Sequence, residues 1–383
     1  TLILSVAQGL SIPTTSINMI NTGLVGAMLA TNPSYSTIPL SLQFLTIALT
    51  LIPVSLLMGK FGRRPMFLLG SLAAFIGCLI IAFSIIDKSF YLFILGSILL
   101  GFSKANQQFY RYAAADNVSN NLKSKAISLV LAGGVIAAVV GPEVSRYSFD
   151  LFPDYIYLAT YLLAASIQII NFTILIFIKI KKPEVTAKKI RPLKDILMQK
   201  TLIIAILAAA VGYSLMSFIM TATPLQIVNI CKLGNSASST VIQWHIIAMF
   251  APSFFTGSII SRFGNRKVML VGIILYAFSV FFGILGDTVL NFWIALFLCG
   301  LGWNFLYVGG SDIIAKSALP EERAKVQGVT DFIIFVFVAM GSFLAGYLHS
   351  NLGWEIMLFY TIIPISLIFI GIIIIKPQNL KLN

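Results

Sequence analysis

The chain has 383 residues, of which 58% are hydrophobic and 10% are charged, with a formal net charge of +13. A soluble domain carries about 25% charged residues, so this composition excludes a water-soluble enzyme, and the high apolar content excludes a disordered chain. The apolar runs continue for about twenty residues, which indicates membrane-spanning helices rather than the shorter alternating strands of a β-barrel.

Twelve segments are long and apolar enough to span a bilayer as helices. In chain order they cover residues 2–29, 37–58, 66–86, 90–116, 125–146, 156–180, 201–224, 236–260, 268–286, 291–316, 326–349 and 354–375. A basic stretch over 181–200 divides the chain into two predicted six-helix domains, 1–180 and 201–383, and forms the linker between them. Because the sequence enters the first segment directly after Thr1, we expect the full chain to begin further upstream.

The basic residues concentrate at one end of the predicted helices. Of the 26 lysines and arginines, 21 lie in the loops that follow the even-numbered segments or in the C-terminal tail. Positive loops remain on the cytoplasmic side of a membrane protein, so we expect both termini in the cytoplasm and the chain in the inner membrane. This distribution explains the net charge without nucleic-acid binding.

Two loops repeat between the halves of the chain. Lys60-Phe61-Gly62-Arg63-Arg64 follows the second segment, and Arg262-Phe263-Gly264-Asn265-Arg266 follows the eighth, 202 residues later. The basic triplets Lys123-Ser124-Lys125 and Arg323-Ala324-Lys325 repeat in the same way, 200 residues apart. Two matches at nearly the same spacing indicate a six-plus-six duplication.

The twelve segments, the basic linker and the repeated loop together resemble the major facilitator superfamily of secondary transporters, over essentially the whole chain. The resemblance implies an all-α fold of two six-helix bundles related by pseudo-two-fold symmetry. It also implies that the repeated loop biases conformational exchange through Lys60, Gly62, Arg63, Arg64, Arg262, Gly264 and Arg266. Both copies lack the acidic residue usual in the family, since Gly59 and Ser261 occupy its positions.

The fifth segment contains Gly133-Gly134 and Gly141-Pro142. This pattern is similar to the Gly-Pro motif of proton-coupled exporters in the superfamily. The alternative is a Gly/Pro bend that allows close helix packing, which membrane helices tolerate.

The fourth segment carries two cations at membrane depth, Lys104 and Arg111. A charge there costs roughly 2.5–3.5 kcal/mol on insertion scales, so it indicates a function. Seven residues are nearly two helical turns, so the spacing predicts one polar stripe that includes Gln108. In the resembled fold segments 1, 4, 7 and 10 line the cavity, where this stripe would bind an anionic group. Alternatively, Arg111 snorkels to the head groups and Lys104 pairs with a carboxylate or carbonyl.

The other cavity-lining segments supply amides and aromatic rings. The predicted binding residues there are Asn18, Asn21, Tyr213, Trp303, Asn304 and Tyr307. Together with two cations they suit a small organic anion or zwitterion. Hydrogen bonding between neighbouring helices is the alternative role for each of them.

Four titratable residues are candidates for proton coupling or gating: His245, Glu143, Asp312 and Asp331. Asp312 and Asp331 either exchange a proton as the cavity switches sides or close a cytoplasmic gate against Arg63, Arg64, Lys123 or Arg323. His245 either carries a proton or hydrogen-bonds a neighbouring helix. No His, Cys or carboxylate group has metal-ligand spacing, so the sequence predicts neither a metal site nor another cofactor.

We therefore predict a monomeric secondary active transporter that moves a small organic solute by alternating access, coupled to protons, and that catalyses no reaction. One alternative is a proton-coupled exporter of drugs or metabolites, which Gly141-Pro142 favours. Another is a membrane-embedded sensor or enzyme. An enzyme would need a nucleophile–base pair or a metal cluster, and the sequence shows neither.

Overall fold

A computed structural model describes residues 1–116, 118–119, 123–180, 192–319 and 322–374. The described residues form helices and short loops, with no strand among them, which confirms the predicted all-α fold. We number the helices by predicted segment: α1 (Leu2–Leu29), α2 (Ile38–Phe61), α3 (Arg63–Ile86), α4a (Phe90–Gln107), α4b (Tyr110–Asp116), α5 (Lys123–Ser148), α6 (Leu158–Ile176), α7 (Lys200–Pro224), α8a (Asn235–Phe250), α8b (Ser253–Phe263), α9 (Asn265–Ile284), α10 (Val289–Ser317), α11 (Arg323–Leu352), α12a (Trp354–Tyr360) and α12b (Ile362–Ile374).

Each predicted segment coincides with one helix or with a broken pair. Within the described ranges, eight of these units are long and apolar enough to cross a membrane, and the pair α8a–α8b, bent by 43°, makes a ninth. The helices α1, α4a–α4b and α5 occupy the other three predicted positions without meeting that test. In α1 the reason is its many hydroxyl and amide side chains. Most of the predicted linker, residues 181–191, lies outside the described residues.

The packing of α1–α6 recurs in α7–α12. α1 packs along α5 as α7 packs along α11, and α3 packs along α4a as α9 packs along α10. The two sets of helices make their most extensive contacts in two equivalent places, where α2 packs against α11 and where α8a packs against α5. This repetition in space is what the six-plus-six duplication predicts.

The glycines of α5 bring it close to α1. A Cβ atom at Gly133 would overlap the carbonyl oxygen of Ser5, and one at Gly141 would lie 2.7 Å from Cβ of Ser16. Ser5 also donates to the Leu129 carbonyl at 2.6 Å. Close helix packing therefore accounts for these glycines, as the alternative to an exporter motif predicts.

The repeated loops lie at one end of the molecule, which we call the basic end, and have the same geometry. Gly62 and Gly264 each link two helices with φ angles of 90° and 83°, a region that favours glycine. Arg64, at the start of α3, donates to the carbonyl of Ile176 at 2.5 Å. Arg266, at the start of α9, donates to the carbonyl of Ile373 at 2.7 Å. Each arginine thus ties its helix to the last helix of the same half.

At the other end, which we call the far end, hydrogen bonds connect the start of α2 with α11. The Ser34 and Ser350 hydroxyl oxygens are 3.4 Å apart, and the Asn351 amide donates to Ser34 at 3.0 Å. The Thr37 hydroxyl donates to the Phe343 carbonyl at 3.4 Å. The two halves of the chain are therefore in direct contact at the far end.

Candidate transport site

The fourth helix is broken, and the break separates the two predicted cations. We expected one continuous helix with Lys104 and Arg111 on the same face, but α4a ends at Gln107 and α4b begins at Tyr110. Gln108, half-buried, lies in the break. Lys104 lines a small cavity among α1, α3, α4a and α6, whereas Arg111 interacts with residues of α10 and α11. The two cations remain within electrostatic range of each other.

Arg111 belongs to a polar group that joins the two halves. Its guanidinium lies over the Tyr112 ring, 4.8 Å from the centroid. The Tyr112 hydroxyl accepts a hydrogen bond from the Gln327 amide of α11. One turn further along α11, Asp331 lies within electrostatic range of Arg111, as does Tyr307 of α10. We call these five residues the Arg111 cluster.

Aromatic rings of the second half pack beside this cluster. Trp303 and Tyr307 stack with centroids 4.9 Å apart, and the edge of Tyr213 meets them at 5.2 and 5.4 Å. Phe250 and Phe335 pack against Trp303 and Tyr213. We call these five residues the aromatic cluster. Because Tyr307 belongs to both clusters, the two are continuous across α10.

Trp303 has an unused donor within the aromatic cluster. The side chain is 4% exposed, and its indole Nε1 is buried and has no hydrogen-bond partner in the described part of the chain. A buried indole N–H normally finds an acceptor. The arrangement therefore suits a planar aromatic solute that carries a hydrogen-bond acceptor at its edge.

Two of the predicted amides bind neighbouring helices. Asn18 donates to Gln43 at 2.5 Å and accepts from the Tyr161 hydroxyl at 3.0 Å. Asn21 accepts from Ser145 of α5 at 2.9 Å, while its Nδ2 is buried and no described residue pairs with it. Both amide atoms of Asn18 but only the oxygen of Asn21 bond to neighbouring helices, which is the alternative role. A binding role for either residue stays a prediction.

Asn304 stabilises the bend between α8a and α8b. Its Nδ2 donates to the Met249 carbonyl at 2.7 Å and to the Ser253 hydroxyl at 2.6 Å, and its Oδ1 accepts from Thr256 at 2.6 Å. The amide is completely buried. Because its amide nitrogen and oxygen are both paired with residues of the bend, Asn304 has a structural role. Its contact with the solute stays a prediction.

Glu143 takes part in a network between α5 and α8a. Its carboxylate pairs with Arg146 at 3.0 Å and accepts from the Gln243 amide at 3.1 Å. Arg146 in turn donates to Thr240 at 2.9 Å. The network crosses between the halves where α5 contacts α8a, and a gating role for Glu143 stays a prediction.

Asp312 and His245 have local partners. Asp312 pairs with Lys316, one turn along α10, at 2.5 Å and accepts from Asn265 at 2.9 Å, rather than from the arginines expected for a gate. His245 is completely buried, and its Nδ1 lies 2.6 Å from the Leu296 carbonyl, while Nε2 has no partner within the described ranges. In the described ranges no group of His, Cys and carboxylate side chains could hold a metal ion.

Four members of the two clusters are not among the site residues predicted from the sequence: Tyr112, Gln327, Phe250 and Phe335. Tyr112 adjoins Arg111 in the chain, and Gln327 lies one turn before Asp331, so a search of the residues next to the two charges would have found both. The two phenylalanines carry no signal, because the chain has 30 of them.

Comparison with known sequences decides the family. Residues 4–230 and 202–381 each match the sequence profile of the Major Facilitator Superfamily. The chain belongs to this superfamily. It is a multi-pass membrane transporter and not an enzyme, which confirms the predicted class and sets aside the sensor and enzyme alternatives.

Several bacterial members of the superfamily are similar to the chain. The riboflavin transporter RfnT of Brucella anthropi is 37% identical over 384 residues, which cover 98% of this chain and 96% of the relative. The uncharacterized MFS-type transporter YdeG of Bacillus subtilis is 26% identical over 84% of this chain and 80% of its own. The multidrug resistance protein MdtL of a Shewanella species is 23% identical over 40% of each chain.

The geometry of the repeated loop predicts that its arginines act on conformational exchange. Arg64→Ala and Arg266→Ala should each slow transport about fivefold while solute affinity stays within about twofold, since both arginines contact helix ends and neither contacts the clusters. The measurement is the initial transport rate beside equilibrium binding. A large loss of affinity would instead place these arginines at the solute.

Proposed function

We propose that this transporter moves riboflavin across the membrane by alternating access. The aromatic cluster is the observation that carries the proposal. Riboflavin presents a planar three-ring system with carbonyl and nitrogen acceptors at its edge. Trp303 and Tyr307 form a stacked aromatic pair, of which Tyr307 is only partly buried and can pack against the ring system. The indole N–H of Trp303, which has no partner among the described residues, can supply the donor. The similarity to the riboflavin transporter RfnT over nearly the whole chain supports the same solute.

The proposed solute and the solute predicted from the sequence differ in charge, since the sequence predicts a small organic anion or zwitterion. Riboflavin is neutral, whereas its 5′-phosphate is an anion that Arg111 could bind. If Arg111 acts on conformational exchange, riboflavin should compete better than the phosphate. If Arg111 binds the solute, the phosphate should compete better and its advantage should fall with Arg111→Gln.

Transport is measured with purified protein in liposomes, using flavin fluorescence to follow riboflavin. Replacing Trp303 with Leu should lower the rate at least about tenfold, because both the stacking surface and the donor are lost. Trp293→Leu is the matched control, since Trp293 stacks on Phe297 outside the cluster and should retain transport. Folded wild-type protein without any riboflavin flux would exclude the proposed solute.

We infer that protons couple to transport through Asp331. Glu143 and Asp312 each have a direct ion-pair partner, whereas the electrostatic partner of Asp331 is Arg111 in the opposite half. Protonation of Asp331 removes this attraction and allows α4b to separate from α11. Asp331→Asn should abolish riboflavin accumulation driven by a pH gradient while riboflavin exchange at equal pH continues. Undiminished gradient-driven accumulation by Asp331→Asn would move the coupling site elsewhere.

The orientation is a further part of the proposal, with the basic end and both termini in the cytoplasm. In a Cys231→Ser background, Lys267→Cys should be labelled by an impermeant thiol reagent only after the cytoplasmic face is opened. Asp150→Cys should be labelled in intact cells. Both positions are exposed, at the basic end and the far end. Labelling of both from the same face would contradict the proposed topology.

A further inference from the structure

A small polar cavity lies among α1, α3, α4a and α6, within the first half of the chain. The centre of a water-sized sphere has about 10 Å³ of space inside it, so the cavity can hold one small ligand. Polar side chains form most of its wall: Ser11, Thr14, Ser103, Lys104, Gln107 and Gln168. The riboflavin site proposed above uses none of them.

The cavity wall presents hydrogen-bond donors. Gln107 is 4% exposed, and its Nε2 is buried and finds no partner among the residues that the structure describes. Lys104 contributes an ammonium group with three donors. The Thr14 oxygen accepts from Gln168 at 2.7 Å, and this bond leaves the Thr14 hydroxyl able to donate its own proton into the cavity. A ligand here must accept several hydrogen bonds at once.

The charge of Lys104 is not balanced by the residues around the cavity. None of the described residues that line it is a carboxylate. The charged group within electrostatic range of Lys104 is Arg111, which is also a cation. A cation at membrane depth is costly unless an opposite charge accompanies it, so the site favours a negatively charged ligand.

We propose that the cavity binds a single halide ion, chloride in the cell, through Lys104 Nζ, Gln107 Nε2 and the Thr14 hydroxyl. A halide accepts hydrogen bonds from all sides and is only moderately larger than a water molecule, whereas phosphate, sulfate and carboxylates are larger still and need several donors in fixed directions. The ion would offset the charge of Lys104 next to the break in the fourth helix. The proposal is independent of the identity of the transported solute.

Thermal unfolding of purified protein without flavin tests the site. Sodium gluconate is replaced stepwise by sodium chloride at constant ionic strength. We expect a saturable rise in Tm of about 2 °C for the wild type, since chloride stabilises the state that binds it. Lys104→Met should abolish the rise. Lys267→Gln, which removes an exposed lysine, should retain it and thereby controls for general anion effects.

Anomalous diffraction from crystals of wild-type protein grown in sodium bromide provides a second measurement that does not depend on any variant. A bromide peak beside Lys104 and Gln107 is expected. The proposal is overturned if chloride produces no saturable rise, if Lys104→Met shows the same rise, or if the cavity contains water and no bromide. Because flavin is absent from both experiments, their outcome does not depend on whether riboflavin is transported.

Discussion

Oxidation of a protein that carries Ser34→Cys and Ser350→Cys should stop riboflavin transport almost completely, and reduction should restore it. The two hydroxyl oxygens are 3.4 Å apart, so cysteine sulfurs at these positions can approach to bonding distance. Ser34 lies just before α2 and Ser350 lies near the end of α11, in opposite halves of the chain. A covalent bond here prevents the halves from separating at the far end, which alternating access requires.

The matched control places a similar bond within one half. Ser148 and Thr160 have hydroxyl oxygens 2.8 Å apart, both in the first half of the chain. Oxidised Ser148→Cys/Thr160→Cys should keep most of the wild-type rate, because the bond constrains no movement between halves. Both pairs are introduced after Cys231, the partly exposed native thiol, is replaced by Ser. Full transport by the oxidised Ser34–Ser350 pair, with bond formation verified by mass, would contradict rocking of the two halves.

Arg111→Gln should lower riboflavin exchange at least about tenfold, because it leaves Asp331 without its electrostatic partner. Arg111→Lys should also impair exchange, since lysine lacks the planar group that lies over the Tyr112 ring. An arginine that only snorkelled to the head groups would tolerate lysine. If Arg111→Lys shows wild-type exchange at equal expression, Arg111 has no specific role in transport.

The double variant Arg111→Gln/Asp331→Asn distinguishes the two roles of Arg111. If Arg111 and Asp331 act as a pair between the halves, removing both charges should restore exchange to within about threefold of Asp331→Asn alone. If Arg111 binds an anionic group of the solute, the double variant should be as impaired as Arg111→Gln. Exchange at equal pH is measured in both cases, so the loss of proton coupling does not affect the comparison.

The sequence by itself determined the helices and the repeated loops, because hydropathy over about twenty residues and a glycine between two helices are local properties. The loop around Gly62 predicted its partner around Gly264, and the structure gives them nearly the same φ angle. The sequence also located the segment that carries the two cations, since Lys104 and Arg111 interrupt an apolar run.

Only the tertiary structure decided how those polar residues are used. The helix break at Gln108 and Phe109 contains no proline or glycine, so the sequence does not predict it. Beyond the break Arg111 lies near α10 and α11, while Lys104 lines a separate cavity. Asn18 and Asn304 are among the binding residues predicted from the sequence, yet both are completely buried and bonded to neighbouring helices. In a membrane helix apolar residues face both lipid and protein, so hydropathy does not reveal which face contacts the cavity; that depends on packing between helices distant in the sequence.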